Sequence, residues 1–412
     1  MKNRIIPFLI LFVCSTDISA INLDWAKSIS GGFNYANDMK QDNNGSILVC
    51  GAFNGVVDFD PGPGVSNVTS TGNDDAYLLK LDNNGNFMWV KTVGGQGNES
   101  YIALAVDNQN NIVATLFFDA TIDADPGPGT SSFTSNGLED LLLCKFDNAG
   151  IFIWAKQFGS TEDNYFSKPG IDPCGNIVFT ITFQNALDAD PNAGIVMLNP
   201  SSTQDLAIIK ISQQGNLIWS KKITGSLSNR LEGTCILFDN NCNLMYAGTF
   251  DSTVDFDPGP GVYNLQTNYG ASNMFISKLD STGNFIWARS FDCNYESGVV
   301  SLEADGNGNI IFGGAFELVL DADPGPGTTM FYSDYYDLFL IKLNSSGNFI
   351  WGRQIGGPGM ESLWSHTVDN AGNIYFTGHF EDDSVDMDAG PNTMFINPVG
   401  GSDIIIAKYD AN

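Results

Sequence analysis

The chain has 412 residues, a formal net charge of -29 from 18 Lys and Arg against 47 Asp and Glu, and 43% hydrophobic residues. The acidic balance excludes the basic footprint of a nucleic-acid-binding protein and disfavours contact with anionic membranes. The apolar content excludes a disordered chain, because there is ample surface to bury.

Residues 1–20 have the pattern of a secretory signal peptide. Lys2 and Arg4 precede a short apolar run over residues 5–14, and Ser19-Ala20 offers small residues for cleavage. The apolar run is too short to span a membrane. We therefore predict a bacterial protein that is secreted or held at the cell surface, with residues 21–412 as its single mature domain.

A repeat of about 65 residues organises that domain. Its marker is an Asp-x-Asp motif, followed in four copies by Pro-Gly-Pro-Gly, and the first Asp recurs in steps of 65, 65, 67, 66 and 65 residues. A fixed period of this length is typical of solenoids and propellers. The carboxylates of the six copies are Asp58 and Asp60, Asp123 and Asp125, Asp188 and Asp190, Asp255 and Asp257, Asp321 and Asp323, and Asp386 and Asp388.

Each repeat contains four short segments with the pattern of antiparallel β-strands, which we name A to D. In the second repeat they are residues 101–106, 112–117, 141–146 and 152–158. Turns rich in Asp, Asn and Gly join A to B and C to D. No stretch after the signal has a helical period. The pattern predicts an all-β fold, a six-bladed β-propeller with four antiparallel strands per blade.

The sixth repeat has no D strand of its own. Residues 23–28, which include Trp25, match the D strands that carry Trp89 and Trp154 in later repeats. We expect these residues to pair with residues 404–408 as the outermost strand of blade six. This pairing would close the ring and leave no unpaired C-strand edge in that blade.

The repeat resembles a known family at residues such as 80–89 (KLDNNGNFMW), followed by an Asp-x-x-Gly-Asn-Ile turn and a strand that ends in glycine. It is similar to the SBBP-type β-propeller repeat of bacterial secreted and surface proteins, over residues 21–412. The resemblance implies the propeller fold and little chemistry, because family members mostly have unassigned functions. The Asp-Pro-Gly-Pro-Gly loop looks like an elaboration of the usual pattern.

The B–C loops are long and carry the Asp-x-Asp motifs, so their face is the predicted functional face. Side chains at i and i+2 of an extended segment point the same way, so each pair could address one calcium ion. An oxygen-bearing side chain four residues earlier, such as Asn54 or Asp119, would add a ligand. The alternative is that the Asp residues only cap turns, and both interpretations stay open.

Six cysteines lie outside the signal, and most occupy different positions within their repeats. We expect buried thiols for most of them. Cys174 and Cys242 fall in A–B turns of neighbouring repeats, so a disulfide could join them.

Catalytic motifs are scarce. The two histidines, His366 and His379, both lie in the sixth repeat, where core or rim roles are expected. Because acidic pairs recur in every repeat, we predict a non-catalytic binding scaffold rather than an enzyme. The alternative is a carbohydrate-active propeller, a glycosidase or lyase with its site on the B–C face. We expect a monomer with a protein or glycan ligand, no nucleic acid and no membrane insertion.

Overall fold

The computed structural model describes residues 25–160, 165–201, 203–225, 230–267, 272–295, 297–369, 371–381, 384–390, 392–397 and 402–410. Every regular element in these ranges is a β-strand, in agreement with the predicted all-β class. The predicted signal peptide and residues 21–24 lie outside the described residues. Among the described residues, no helix has the length and apolar character needed to cross a bilayer.

The strands follow the repeat. Repeat 1 contains β1 (Ser30–Gln41), β2 (Ile47–Asp58), β3 (Asn67–Thr69), β4 (Asp75–Leu81) and β5 (Phe87–Val93). Repeat 2 contains β6 (Glu99–Val106), β7 (Ile112–Phe118), β8 (Thr121–Asp123), β9 (Ser132–Thr134), β10 (Asp140–Phe146) and β11 (Phe152–Phe158). Repeat 3 contains β12 (Tyr165–Phe166), β13 (Gly170–Ile171), β14 (Ile177–Phe183), β15 (Leu187–Asp188), β16 (Met197–Leu198), β17 (Asp205–Ile211) and β18 (Leu217–Gly225).

The second half of the chain repeats this order. Repeat 4 contains β19 (Leu231–Phe238), β20 (Leu244–Phe250), β21 (Thr253–Asp255), β22 (Asn264–Gln266), β23 (Asn273–Leu279) and β24 (Phe285–Phe291). Repeat 5 contains β25 (Ser297–Ala304), β26 (Ile310–Asp321), β27 (Met330–Leu343) and β28 (Phe349–Ile355). Repeat 6 contains β29 (Met360–Val368), β30 (Ile374–Glu381), β31 (Val385–Asp386), β32 (Phe395–Ile396) and β33 (Ser402–Tyr409).

Each of the first five repeats forms an antiparallel sheet in the order A, B, C, D, and repeat 6 contributes A, B and C. In repeat 2 this order is β6, β7, β10, β11, and in repeat 4 it is β19, β20, β23, β24. The B–C connection was predicted as a loop, but its ends pair as a short hairpin such as β8 with β9. The carboxylate of Asp123 accepts hydrogen bonds from both sides of this turn, and the hairpin also forms in repeats 3 and 6, which lack Pro-Gly-Pro-Gly.

The core lies between successive sheets. All seven residues of the C strands β4, β10, β17 and β23 are buried. One hydrophobic cluster joins Leu48 and Leu78 of repeat 1 to Leu104 and Leu142 of repeat 2. Because the sheets of repeats 2 to 5 are covered on both faces by their neighbours, their B and C strands are almost continuously apolar.

The A strands lie along the inside of a curved array. A strands of successive repeats contact each other, for example β1 with β6 and β25 with β29. The ammonium group of Lys168 in repeat 3 lies 3.2 Å from the carboxylate of Asp38 in repeat 1. An ion pair between repeats that are not neighbours requires that their A strands face a common interior.

Repeat 6 differs from the others at its outer edge. Within the described residues, β33 is hydrogen-bonded only to β30, and residues 25–29 form no strand. The predicted pairing of residues 23–28 with residues 404–408 is therefore not part of the described structure, and ring closure stays a prediction.

A buried Lys–Asp pair recurs at the A–B turn end of the sheets. In each of the first five repeats, the C-strand lysine contacts the aspartate that begins the A–B turn. The pairs are Lys80–Asp42 (2.7 Å), Lys145–Asp107 (3.2 Å), Lys210–Asp172 (2.7 Å), Lys278–Asp239 (2.8 Å) and Lys342–Asp305 (2.9 Å). Burial alone would raise the pKa of Asp305, but hydrogen bonds from Asn309 and Lys342 outweigh it and lower the pKa to about 2.

In repeats 1 to 3 the same lysines also connect the repeat to the next one. Lys210 Nζ also donates to the carbonyl oxygen of Ser281 in repeat 4 (3.2 Å), and Trp219 Nε1 donates to the same oxygen (3.2 Å). In repeat 2, Lys145 (3.5 Å) and Trp154 (3.0 Å) converge in the same way on the carbonyl of Gln213. The D-strand tryptophans of these two repeats therefore form hydrogen bonds between repeats.

We predict that Lys210→Met lowers the free energy of unfolding by about 3–5 kcal/mol, because Asp172 would keep a buried charge without its partner. Urea unfolding followed by circular dichroism measures this change. The matched control is Lys91→Met, since Lys91 is half-buried and forms no ion pair with the described residues. Equal effects of the two substitutions would contradict a stabilising role for the pair.

Candidate functional site

The Asp-x-Asp carboxylates shape their own loops. Asp58 Oδ1 accepts hydrogen bonds from the backbone N–H groups of Asp60 (3.1 Å) and Ser66 (2.7 Å), and Asp60 Oδ1 accepts one from Gly62 (2.7 Å). The same three bonds recur in the other five copies, with Asn192 in place of the glycine in the third. One carboxylate oxygen of each aspartate therefore accepts hydrogen bonds from backbone N–H groups, as expected if the aspartates form turns.

The side chains four residues earlier are used elsewhere. Asn54 Nδ2 donates to the carbonyl of Asn73 (2.5 Å), and both oxygens of Asp119 accept hydrogen bonds from Asn98 (2.9 Å each). The first bond holds the B–C loop of repeat 1 and the others hold the crossover from repeat 1 to repeat 2, so neither side chain belongs to a shared ligand set. Among the described residues, the one group of three clustered metal-ligating side chains is Asp172 with Cys174 and Cys242.

Those two cysteines form the disulfide that the sequence allowed. Cys174 and Cys242 are bonded, with their Cα atoms 6.5 Å apart, and the bridge joins the A–B turns of repeats 3 and 4. Because these sulfurs are joined to each other, they are not available as thiolate ligands for a metal. The four other described cysteines, Cys50, Cys144, Cys235 and Cys293, are buried thiols outside any disulfide, as expected.

Neither histidine forms a recognisable catalytic group. His366 is 4% exposed, and its Nδ1 is hydrogen-bonded to Ser301 Oγ across repeats 5 and 6. Burial lowers the pKa of His366 to about 4, so the ring is neutral at physiological pH. His379 lies at the rim, with its ring 5.4 Å from the ring of Trp364. Both positions match the predicted core and rim roles.

Buried carboxyl groups meet where repeat 1 joins repeat 2. Asp75 is 3% exposed and accepts hydrogen bonds from the N–H (3.0 Å) and the hydroxyl (3.1 Å) of Thr71. Glu99 is fully buried and accepts one from the N–H of Gly95 (2.9 Å). Burial, together with the charges of Asp75 and Asp119, raises the pKa of Glu99 to about 7. Glu99 was not predicted from the sequence, although repeat 6 has Glu361 at the equivalent position, also fully buried and accepting a hydrogen bond from the N–H of Gly357 (3.1 Å).

A cavity lies at the opposite end from the B–C loops. It has a volume of about 760 Å³ and opens among the A–B turns of repeats 1 to 4. Its lining includes Lys40, Gln41, Asn108, Gln109, Gln213 and Phe238. We call it the central pocket. The central pocket is thus not on the predicted functional face. It forms where the A strands meet, and no repeated sequence motif marks it.

Comparisons with known proteins give two findings. The chain is 21% identical, over 89% of its length, to an uncharacterized WD repeat-containing protein of Acanthamoeba polyphaga mimivirus, and it spans only 36% of that protein. The extracellular domain of a hybrid two-component system from B. thetaiotaomicron is 12% identical, with 92% of this chain and 64% of that one covered; the TM-score of 0.16 carries no structural argument. No family model matches, so the SBBP resemblance stays a prediction.

The similarity to a WD repeat-containing protein fits a fold of propeller type, since WD repeats form four-stranded propeller blades. Together with the absence of helices from the described residues, it supports the coarse architecture predicted from the 65-residue period. The number of blades and the closure of the ring need separate evidence.

The raised pKa of Glu99 predicts a stability that depends on pH. An ordinary Glu has a pKa of about 4.3 when unfolded, so the folded state binds the proton more tightly. Stability is therefore greatest at pH 4 to 5 for this group and is lost as the pH rises through about 7. We expect Glu99→Gln, which is neutral at every pH, to melt at a higher temperature than the wild type at pH 8 and to flatten the fall in melting temperature between pH 5 and pH 8. If the variant keeps the wild-type slope over that range, Glu99 is not the group responsible.

Proposed function

We propose that the protein is an exported, non-catalytic β-propeller that serves as a binding scaffold. The observation that carries this proposal is that the acidic residues of all six B–C loops form the same backbone hydrogen bonds, so no repeat is distinguished there as a catalytic centre. The disulfide between Cys174 and Cys242 supports export, since such bonds persist in oxidising compartments.

A closed ring of six blades is part of the proposal. Trp25 Nε1 donates to the carbonyl of Asn83 in repeat 1 (3.2 Å), and Trp219 contacts Ser281 of the next repeat in the same way. Trp25 therefore lies against repeat 1 as the D-strand tryptophan of a preceding blade would. In a closed ring that preceding blade is repeat 6.

The exposed apolar residues of repeat 6 support the same closure. Ile406 is 81% exposed, whereas Leu78, at the equivalent position of β4, is fully buried. On the other side of the seam, Phe33 and Met39 of β1 are 66% and 64% exposed. Bringing repeats 6 and 1 together would cover both surfaces, and the free edge of β33 would gain residues 25–29 as a partner.

The register of the other sheets defines a test of closure. Lys80 pairs with Trp89 in repeat 1, so Lys408 should pair with Trp25 and Ala407 with Ala26. We expect the variant Ala26→Cys/Ala407→Cys to form an intramolecular disulfide, detected by mass spectrometry of the non-reduced protein. Ala26→Cys/Ser402→Cys is the mismatched control. A disulfide only between two chains would mean that the end blades bind a second copy instead.

Calcium at the Asp-x-Asp loops remains a proposal. The carboxylate oxygens that accept no backbone hydrogen bond could bind the ion. A cation that binds only the folded chain would stabilise the folded state by mass action. We expect millimolar calcium to raise the melting temperature relative to EDTA, with the copies that begin at Asp58, Asp123, Asp255 and Asp321 binding best. Asp58→Asn/Asp60→Asn should reduce the number of sites counted by calorimetry. Identical melting curves and no binding heat would mean that the aspartates form turns only.

The non-catalytic role is tested by looking for products. Incubating the protein with a panel of polysaccharides and oligosaccharides is expected to yield no cleaved or unsaturated sugars by chromatography. An activity abolished by changing a single Asp or Glu would overturn the proposal and favour a glycosidase or lyase.

A further inference from the structure

The central pocket lies where the repeat symmetry breaks. Five of the A strands run without interruption over 8 to 12 residues, but in repeat 3 the strand is split into β12 and β13. The intervening segment contains Lys168 and Pro169, and proline has no N–H group for a strand ladder. Pro169 and Gly170 both line the pocket. A binding site that occurs once in a repeat protein requires such a departure from the common pattern.

Gly170 lets repeats 3 and 4 approach closely in this wall. A Cβ atom at this position would lie 2.7 Å from the Phe238 ring and 3.0 Å from Ile236, closer than packed atoms allow. The neighbouring turns are joined by the Cys174–Cys242 disulfide, and Cys174 is itself part of the lining. The aromatic wall of the pocket is therefore held by a covalent bond as well as by packing.

The charges in the pocket wall are mostly neutralised. Asp107 and Asp172 belong to the lining, but they are buried and paired with Lys145 and Lys210. Lys40 contributes one exposed ammonium group. A wall of this kind lacks the clustered cations that a phosphate or polyanion needs, and its carboxylates are already committed to lysines rather than to a metal.

Amide side chains provide the remaining polarity. Asn108 is exposed and Gln213 is half-buried, and neither side chain forms a hydrogen bond with the described residues. The side-chain amide of Gln41 donates one N–H to the carbonyl oxygen of Gly45 (3.2 Å), and its own oxygen remains available as an acceptor. An amide donates and accepts at once, which matches the hydroxyl groups of a sugar, and an aromatic ring offers an apolar face for its C–H groups.

We propose that the central pocket binds a neutral saccharide. This inference rests on the proposed non-catalytic binding role and names its ligand class. The volume of about 760 Å³ lies within the range of about 300–1,000 Å³ that is usual for ligand sites. A purely apolar ligand would leave the amides of Asn108 and Gln213 without partners, and the net charge of -29 opposes a polyanion.

The test is isothermal titration of the exported chain with neutral gluco-, xylo-, manno- and galacto-oligosaccharides, and with oligogalacturonate for comparison. We expect at least one neutral series to bind, and Asn108→Ala or Gln213→Ala to weaken it about tenfold, a change of about 1.4 kcal/mol. Asn240→Ala is the matched control, because Asn240 holds the same turn position in repeat 4 but does not line the pocket.

The outcomes are separable. Absence of binding by every neutral series at millimolar concentration, binding of oligogalacturonate alone, or binding that survives both pocket substitutions would overturn the saccharide site. Retained binding in the control and reduced binding in the pocket variants would support it. Release of cleaved sugar during the titration would instead refute the non-catalytic role, whichever variant is used.

Discussion

The array depends on carbonyl oxygens at the C–D turns of repeats 2 to 5, which accept hydrogen bonds from the preceding repeat. At Ser281, for example, the lysine and the tryptophan of repeat 3 both donate to this one oxygen. The lysine is also paired with Asp172, so an A–B turn, a C strand and the following repeat meet at one ammonium group. Burying a charge costs free energy unless all its hydrogen bonds are made. The lysine can make them only when the next repeat lies at the right distance, so the spacing of the repeats depends on these side chains.

The acidic composition has several distinct structural causes. A–B turn aspartates neutralise buried lysines, and the Asp-x-Asp residues hold the N–H groups of the B–C hairpins. A third set begins the C strands, where Asp75 and Asp337 are 3% exposed. Burial raises the pKa of Asp337 to about 6, an effect that hydrogen bonds from Gln354 and Glu361 only partly offset. Much of the net charge therefore serves the fold, and the acidity does not by itself indicate a metal-binding protein.

A repeat protein keeps the same stabilising contacts in every repeat, whereas a single binding site needs residues that differ between repeats. The B–C turns of all six repeats form the same backbone hydrogen bonds, so these turns stay alike and offer nothing unique to a ligand. The interior is different, because the A strands carry no repeated contact as strict as the Lys–Asp pair. The split strand of repeat 3, the disulfide to Cys242 and the Phe238 side chain all occur there. The interior can thus vary without disturbing the outer sheets.

The short strands of the B–C loops were not predicted from the sequence, whereas the all-β class, the A to D strands of the first five repeats and the candidate pairing of Cys174 with Cys242 were. These follow from alternation, turn chemistry and a fixed period, which are local properties of the chain. The partners of the C-strand lysines, the burial of Glu99 and the central pocket were decided only by the tertiary structure. Each of them joins residues from different strands or repeats, such as Lys145 with the carbonyl of Gln213, and the distance between such residues is fixed by how the sheets pack and not by their separation along the chain.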